Sequence, residues 1–87
     1  MAILKEVTSF EDFKAQIVTS SPDLLVYVTK NKSEAKGKDE IWCLENSFVD
    51  KKVKFVTSFP DVKIQYVNSA REAGWKNKTH KLQRRIG

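Results

Sequence analysis

The stretch Ile41-Trp42-Cys43-Leu44-Glu45-Asn46-Ser47-Phe48-Val49-Asp50-Lys51-Lys52-Val53-Lys54-Phe55-Val56-Thr57-Ser58-Phe59-Pro60 carries the pattern on which the architecture turns. From Cys43 to Phe59 its spacing predicts a helix. Leu44, Phe48, Phe55 and Phe59 fall near one face, Val53 and Val56 widen that face, and Asp50, Lys51, Lys52 and Lys54 lie toward the other side. Pro60 ends the segment, because proline disfavours helical geometry in the residue before it. Ahead of it, the polar run from Thr29 to Glu40 reads as a long loop before Ile41-Trp42-Cys43 returns to apolar character.

Working outward, Ile3, Leu4 and Val7 suggest a short edge strand. Ser9 then has the character of a helix N-cap, with Asp12 three residues later as an acidic variant of the capping box. Phe10, Phe13, Ile17 and Val18 follow at helical spacing, and Ser20-Ser21-Pro22-Asp23 stops that helix. Leu24-Leu25-Val26-Tyr27-Val28 is an apolar run bounded by turn signals, which predicts a buried strand. Val62-Lys63-Ile64-Gln65-Tyr66-Val67 alternates and predicts a strand with one wetter face. Thr79 to Ile86 suggests a short basic helix anchored by Leu82 and Ile86. The reading contains no internal repeat. Strands alternating with helices argue for an α/β fold.

The chain has 87 residues, enough for one domain spanning residues 1–87. Its net charge is +5. Lysines and acidic residues balance over residues 1–70, so the whole excess lies in residues 71–87. No apolar run is long enough to span a membrane. Met1 to Glu6 contains no apolar signal core, which predicts a cytoplasmic protein. One cysteine and one histidine, His80, cannot supply a four-ligand zinc site, and three scattered glycines cannot cradle a phosphate. Trp75 beside Lys76, Lys78, Lys81, Arg84 and Arg85 makes a small electrostatic footprint without a recognisable nucleic-acid module. Nucleic acid is therefore disfavoured as a partner, beyond weak association of this basic tail with RNA or acidic surfaces.

Four stretches in register carry a resemblance. They are Leu4 to Phe13, Leu24 to Thr29, the insert ending Gly37-Lys38 ahead of Trp42-Cys43, and Tyr66-Val67 with Arg71 and Trp75-Lys76. Together they resemble the cytosolic thioredoxin-related proteins of the thioredoxin domain-containing protein 17 type. The resemblance implies a truncated thioredoxin-like α/β domain in the order β-α-β-α-β-α, lacking the cis-proline and the last two strands and helix. The family motif Trp-Cys-Pro-Asp-Cys stands here as Trp42-Cys43-Leu44-Glu45-Asn46, so Asn46 occupies the place of the resolving cysteine.

The resemblance implies Cys43 as the only nucleophile; the predicted helix start favours its thiolate, Asp39, Glu40 and Glu45 oppose it, and the sequence does not fix the net direction. Trp42, Glu45 and Asn46 would support the motif, and Arg71, Trp75 and Lys76 would dock a loop over it. Protein-disulfide reductase turnover of the dithiol kind is excluded without a second thiol. Monothiol exchange with a protein disulfide or external glutathione remains, with no other cofactor and no metal. The alternatives are a non-catalytic thioredoxin-like interaction module, a degenerate paralogue, and an inert, buried Cys43. The sheet edge exposed by truncation points to a homodimer, and no membrane partner is expected.

Overall fold

The computed structural model describes residues 3–35, 38–46 and 49–86. Its framework is six short parallel strands: β1 (Ile3–Glu6), β2 (Phe13–Ile17), β3 (Leu24–Val28), β4 (Ile41–Leu44), β5 (Lys51–Phe55) and β6 (Val62–Tyr66). Their spatial order is β1-β5-β2-β6-β3-β4, and β4 pairs back with β1, so the sheet closes into a barrel. A two-residue strand, β7 (Gly74–Trp75), adds antiparallel to β3. Among the described residues the regular helices are one turn, α1 (Lys32–Ala35), and a 3-10 turn at Ala70–Glu72.

Parallel neighbours usually need a crossover of a dozen or more residues. β3 and β4, consecutive strands that pair directly, keep such a crossover in residues 29–40, and between the other strands the register removes the need. Glu6, the last residue of β1, and Phe13, the first of β2, both stand level with Val53 of β5. Ile17 and Leu24 likewise stand level with Ile64 of β6. β2 and β3 thus each start at the height where the preceding strand stopped, and the connection only has to step across one intervening strand. That step is roughly 10 Å, within reach of a short turn. Following the pairing once round the ring displaces the chain by about twelve residues, which makes this a steeply tilted barrel.

The steps are built from a recurring sequence. Val18-Thr19-Ser20-Ser21-Pro22-Asp23 and Val56-Thr57-Ser58-Phe59-Pro60-Asp61 are nearly identical, and Val7-Thr8-Ser9-Phe10-Glu11-Asp12 shares their frame. The two halves of the chain match at one constant offset, so the expectation of no internal repeat is corrected. Chemistry explains the match. The first residue extends the ladder, as in Val7 N–H to Val53 O at 2.9 Å and Val56 N–H to Ala15 O at 2.9 Å. The fourth residue turns the chain through left-handed backbone at Phe10, Ser21 and Phe59. The closing aspartate then bonds twice to the strand just crossed. Asp12 N–H donates to Lys52 O at 2.8 Å, and the Asp12 carboxylate accepts the Lys52 N–H at 2.8 Å. Asp23 makes the same exchange with Lys63, and Asp61 with Lys14.

Strand alternation sends Leu4, Phe13, Ala15, Leu24, Val26, Trp42, Val53, Val62 and Ile64 into the barrel interior. Trp42 meets Phe13 edge to face at 6.0 Å and Phe55 at 6.5 Å. Its indole N–H donates to Asp39 O at 2.7 Å, which satisfies the one polar atom of the buried ring. Ile86, from the last described turn, is fully buried in the same cluster. A smaller cluster of Ile3, Ala35, Ile41 and Cys43 lies on the outside of β1 and β4, beneath α1.

The thioredoxin-like reading is overturned: this is a closed parallel β-barrel, not a β-α-β-α layout with a truncated sheet. The predicted helix over Phe10 to Val18 is a turn followed by β2. Its supposed capping residue, Asp12, bonds across the sheet to Lys52 instead of back to Ser9. The predicted helix from Cys43 to Phe59 is the end of β4, then β5 and a turn; Ser47 and Phe48 lie outside the described residues. In β5, Lys52 and Lys54 face out while Val53 is buried, a period of two that the flanking aromatics disguised. Thr79 to Ile86 is a series of turns, not a helix. The strands expected at Ile3, at Leu24 to Val28 and at Val62 are present.

Candidate interaction surface

The residues singled out from sequence do not converge. Trp42 and Cys43 are neighbours on one strand, so they point to opposite faces: Trp42 into the barrel, Cys43 into the outer cluster. Trp42 therefore cannot shield the thiol. Cys43 is 1% exposed and stands on a strand, without the helix N-terminus that was expected to activate it. Burial, and then the nearby Glu45 carboxylate, push its thiol above the ordinary range, and the opposing pull of Lys32 does not reverse this. The thiol donates to Glu45 Oε1 at 3.8 Å, which further favours its protonated form. These features describe a packing cysteine. Asn46 borders a shallow polar depression with Lys5, Glu6, Val7, Thr8 and Ser9. Gly37, which the resemblance placed at the end of a loop ahead of the motif, lies outside the described residues.

Arg71 is exposed on the 3-10 turn, and Lys76 is exposed with its N–H donated to Asp23 O at 2.8 Å. Trp75 serves a different purpose from loop docking over a thiol. It stacks on His80 at 5.2 Å, and its indole donates to the Asp39 carboxylate at 3.0 Å. Asp39 also accepts the backbone N–H groups of Arg84 and of Ile86, the latter at 3.2 Å. Leu82 N–H donates to His80 Nδ1 at 3.1 Å, which leaves Nε2 facing the Asp23 carboxylate at 3.6 Å. This network fastens the last turns over one end of the barrel. Among the described residues no group of three or more His, Cys, Asp or Glu side chains is placed to hold a metal ion.

A different feature stands out. Phe10 is 87% exposed and Phe59 is 92% exposed. Both adopt left-handed backbone, with φ of 59° and 52°, a conformation that opposes bulky side chains. They occupy the same position in matching turns. The turn from Val7 to Asp12 crosses β5, and that from Val56 to Asp61 crosses the adjacent strand, β2. Gln16 Nε2 on the outer face of β2 donates to Thr57 O at 3.1 Å, so the crossing passes outside the barrel. The two phenylalanines thus project from neighbouring turns.

The strands beneath them are lysine-rich on the outside. Lys5 of β1 is paired with Lys52 of β5, and Lys54 of β5 with Lys14 of β2. Among the described residues none of these four lysines makes an ion pair. Beside the Phe59 turn, Gln16, Ile17, Phe55, Val56 and Thr57 line an open, mostly apolar depression of about 240 Å³. Sequence reasoning missed this surface because it assigned both phenylalanines to helix faces. The repeat of Ser-Phe ahead of the closing aspartate was the available signal.

No curated relative matches the chain. The model of one protein family, described as a 7(1) septoil knot domain, matches residues 1–76. The description agrees with the path traced above, in which one connection after another passes over the next strand and the chain is wound through itself. Such paths are rare among folds. The match replaces the thioredoxin-type assignment, and with it the expectation of disulfide exchange at Cys43. The chain belongs to the septoil knot domain family.

Proposed function

We propose that this domain is a binding module whose contact surface is the sector around Phe10 and Phe59. The observation that carries the reading is the pair itself. Two large apolar side chains stand almost wholly in water, at equivalent turn positions whose backbone is unfavourable to them. Left-handed backbone costs a non-glycine residue roughly 1–2 kcal/mol, and neither side chain recovers this through burial. Residues that serve the fold do not sit this way, whereas exposed aromatics are what interfaces use as anchors. The barrel supplies a rigid frame, since each turn is held at both ends by bonds to the strand it crosses.

The test is the stability of Phe10→Gly and Phe59→Gly. Glycine removes the backbone penalty and gives back about 0.5–1 kcal/mol in unfolded-state freedom. Each variant is therefore expected to gain roughly 0.5–1 kcal/mol in urea unfolding. A loss of stability in both would assign the phenylalanines to the fold and end the reading.

A further inference from the structure

We infer that the Phe10–Phe59 sector docks on an anionic lipid bilayer, with the two rings entering the interface and the lysines beneath them meeting the headgroups. The inference rests on the binding reading above and names its partner.

Three observations select a bilayer. The first is convexity. Phe10 and Phe59 sit at the apices of turns that lie outside the barrel wall, with 87% and 92% of their surface free. A fluid interface accepts a protruding ring without a preformed pocket. The second is charge. Lys5 faces Lys52 and Lys14 faces Lys54 directly across neighbouring strands, an arrangement in which like charges repel. Carboxylates border the sector as well: Glu11 follows Phe10, and Asp12 and Asp61 close the two turns. The Asp12 carboxylate accepts the Lys52 backbone N–H, the Asp61 carboxylate accepts the Lys14 backbone N–H, and among the described residues neither forms an ion pair with a lysine side chain. An anionic surface offers all four ammonium groups a counter-charge at once. The third is continuity. Ile17, which is 52% exposed, and Val56 extend the apolar surface from the Phe59 turn. Short apolar contact combined with a cluster of lysines is the composition of an interfacial anchor. The same chain positions looked neutral in sequence because strand alternation, which sorts the lysines outward, was hidden there.

The experiment is co-sedimentation of the full chain with phosphatidylcholine vesicles, with and without phosphatidylserine. Binding is expected only when phosphatidylserine is present and is expected to weaken as salt is raised. Phe10→Ala and Phe59→Ala should each lower the partition coefficient about tenfold. Lys52→Gln and Lys54→Gln should each lower it about fivefold. Absence of binding to phosphatidylserine vesicles, equal binding to neutral vesicles, or full binding by the double alanine variant each overturns the anionic-bilayer assignment. Tighter binding to a single-stranded oligouridylate than to the vesicles also overturns it, in favour of nucleic acid. If the glycine variants gain stability while vesicles are not bound, the binding surface stands and only its partner is wrong. If they lose stability, both readings fall together.

Discussion

Ile86 offers the sharpest test of how the barrel is sealed. Its side chain is fully buried in the main core cluster, although it lies in a tail beyond the residues matched by the family. Replacement by alanine removes three carbons from a packed site, worth about 2.4 kcal/mol at roughly 0.8 kcal/mol each. The space left behind adds to this, for a total of about 3–4 kcal/mol. A domain of this size has only about 4–13 kcal/mol of stability, so the loss is a large share. Urea unfolding followed by circular dichroism would read it as a fall of about 2–3 M in midpoint, at unchanged slope. Ile86→Val should cost only about 1 kcal/mol. Arg85→Ala, at an exposed neighbour, should stay within about 0.5 kcal/mol of the parent. A cost below about 1 kcal/mol for Ile86→Ala would refute the reasoning, because a fully buried isoleucine cannot be that cheap to truncate.

Other consequences can be measured alongside it. Asp23→Ala and Asp61→Ala each strip a carboxylate from a strand N–H and should cost about 1 kcal/mol, with the asparagine variants losing less; equal losses for both substitutions would show that the acceptor oxygen is not what matters. Cys43 should resist alkylation by iodoacetamide in the folded protein and react on unfolding, as followed by mass spectrometry; rapid native-state labelling would contradict its burial. Folded Cys43 and Tyr66 both ionise above their ordinary ranges, Tyr66 through burial and then Glu6. The unfolded chain therefore releases these protons first as pH rises. Their contribution to stability is whole below about pH 8.5 and declines above it, so urea midpoints should fall in alkaline buffer.

Much of this fold was written locally, but in signals that two architectures share. Ser9 followed by Asp12 looks the same whether the aspartate caps a helix or binds Lys52 forty residues away; only the distant partner decides. Phe10, Phe13 and Ile17 fit a helical stripe, yet Phe13 and Ala15 are interior while Phe10 and Ile17 face water. The repeat of Val-Thr-Ser ahead of Pro-Asp at Val18 and Val56 was legible, and comparing the two halves would have disclosed paired turns. The order of the strands was not, because it depends on long-range register that no window of sequence contains. The site suffered the same way. Trp42-Cys43 drew attention as a motif, while the alternation that separates the two side chains became visible only once β4 was known to be a strand.

The crossings have a mechanical meaning. A chain whose turns lie over neighbouring strands resists being drawn out from one flank, since tension on the flank presses each crossing onto the strand beneath it. Proteolytic machines that unravel their substrates by threading from an end would meet rising resistance here, and cutting within an exposed turn such as Val56 to Asp61 is the easier way in. Time-resolved digestion should therefore show turn-cleaved fragments before end-shortened ones.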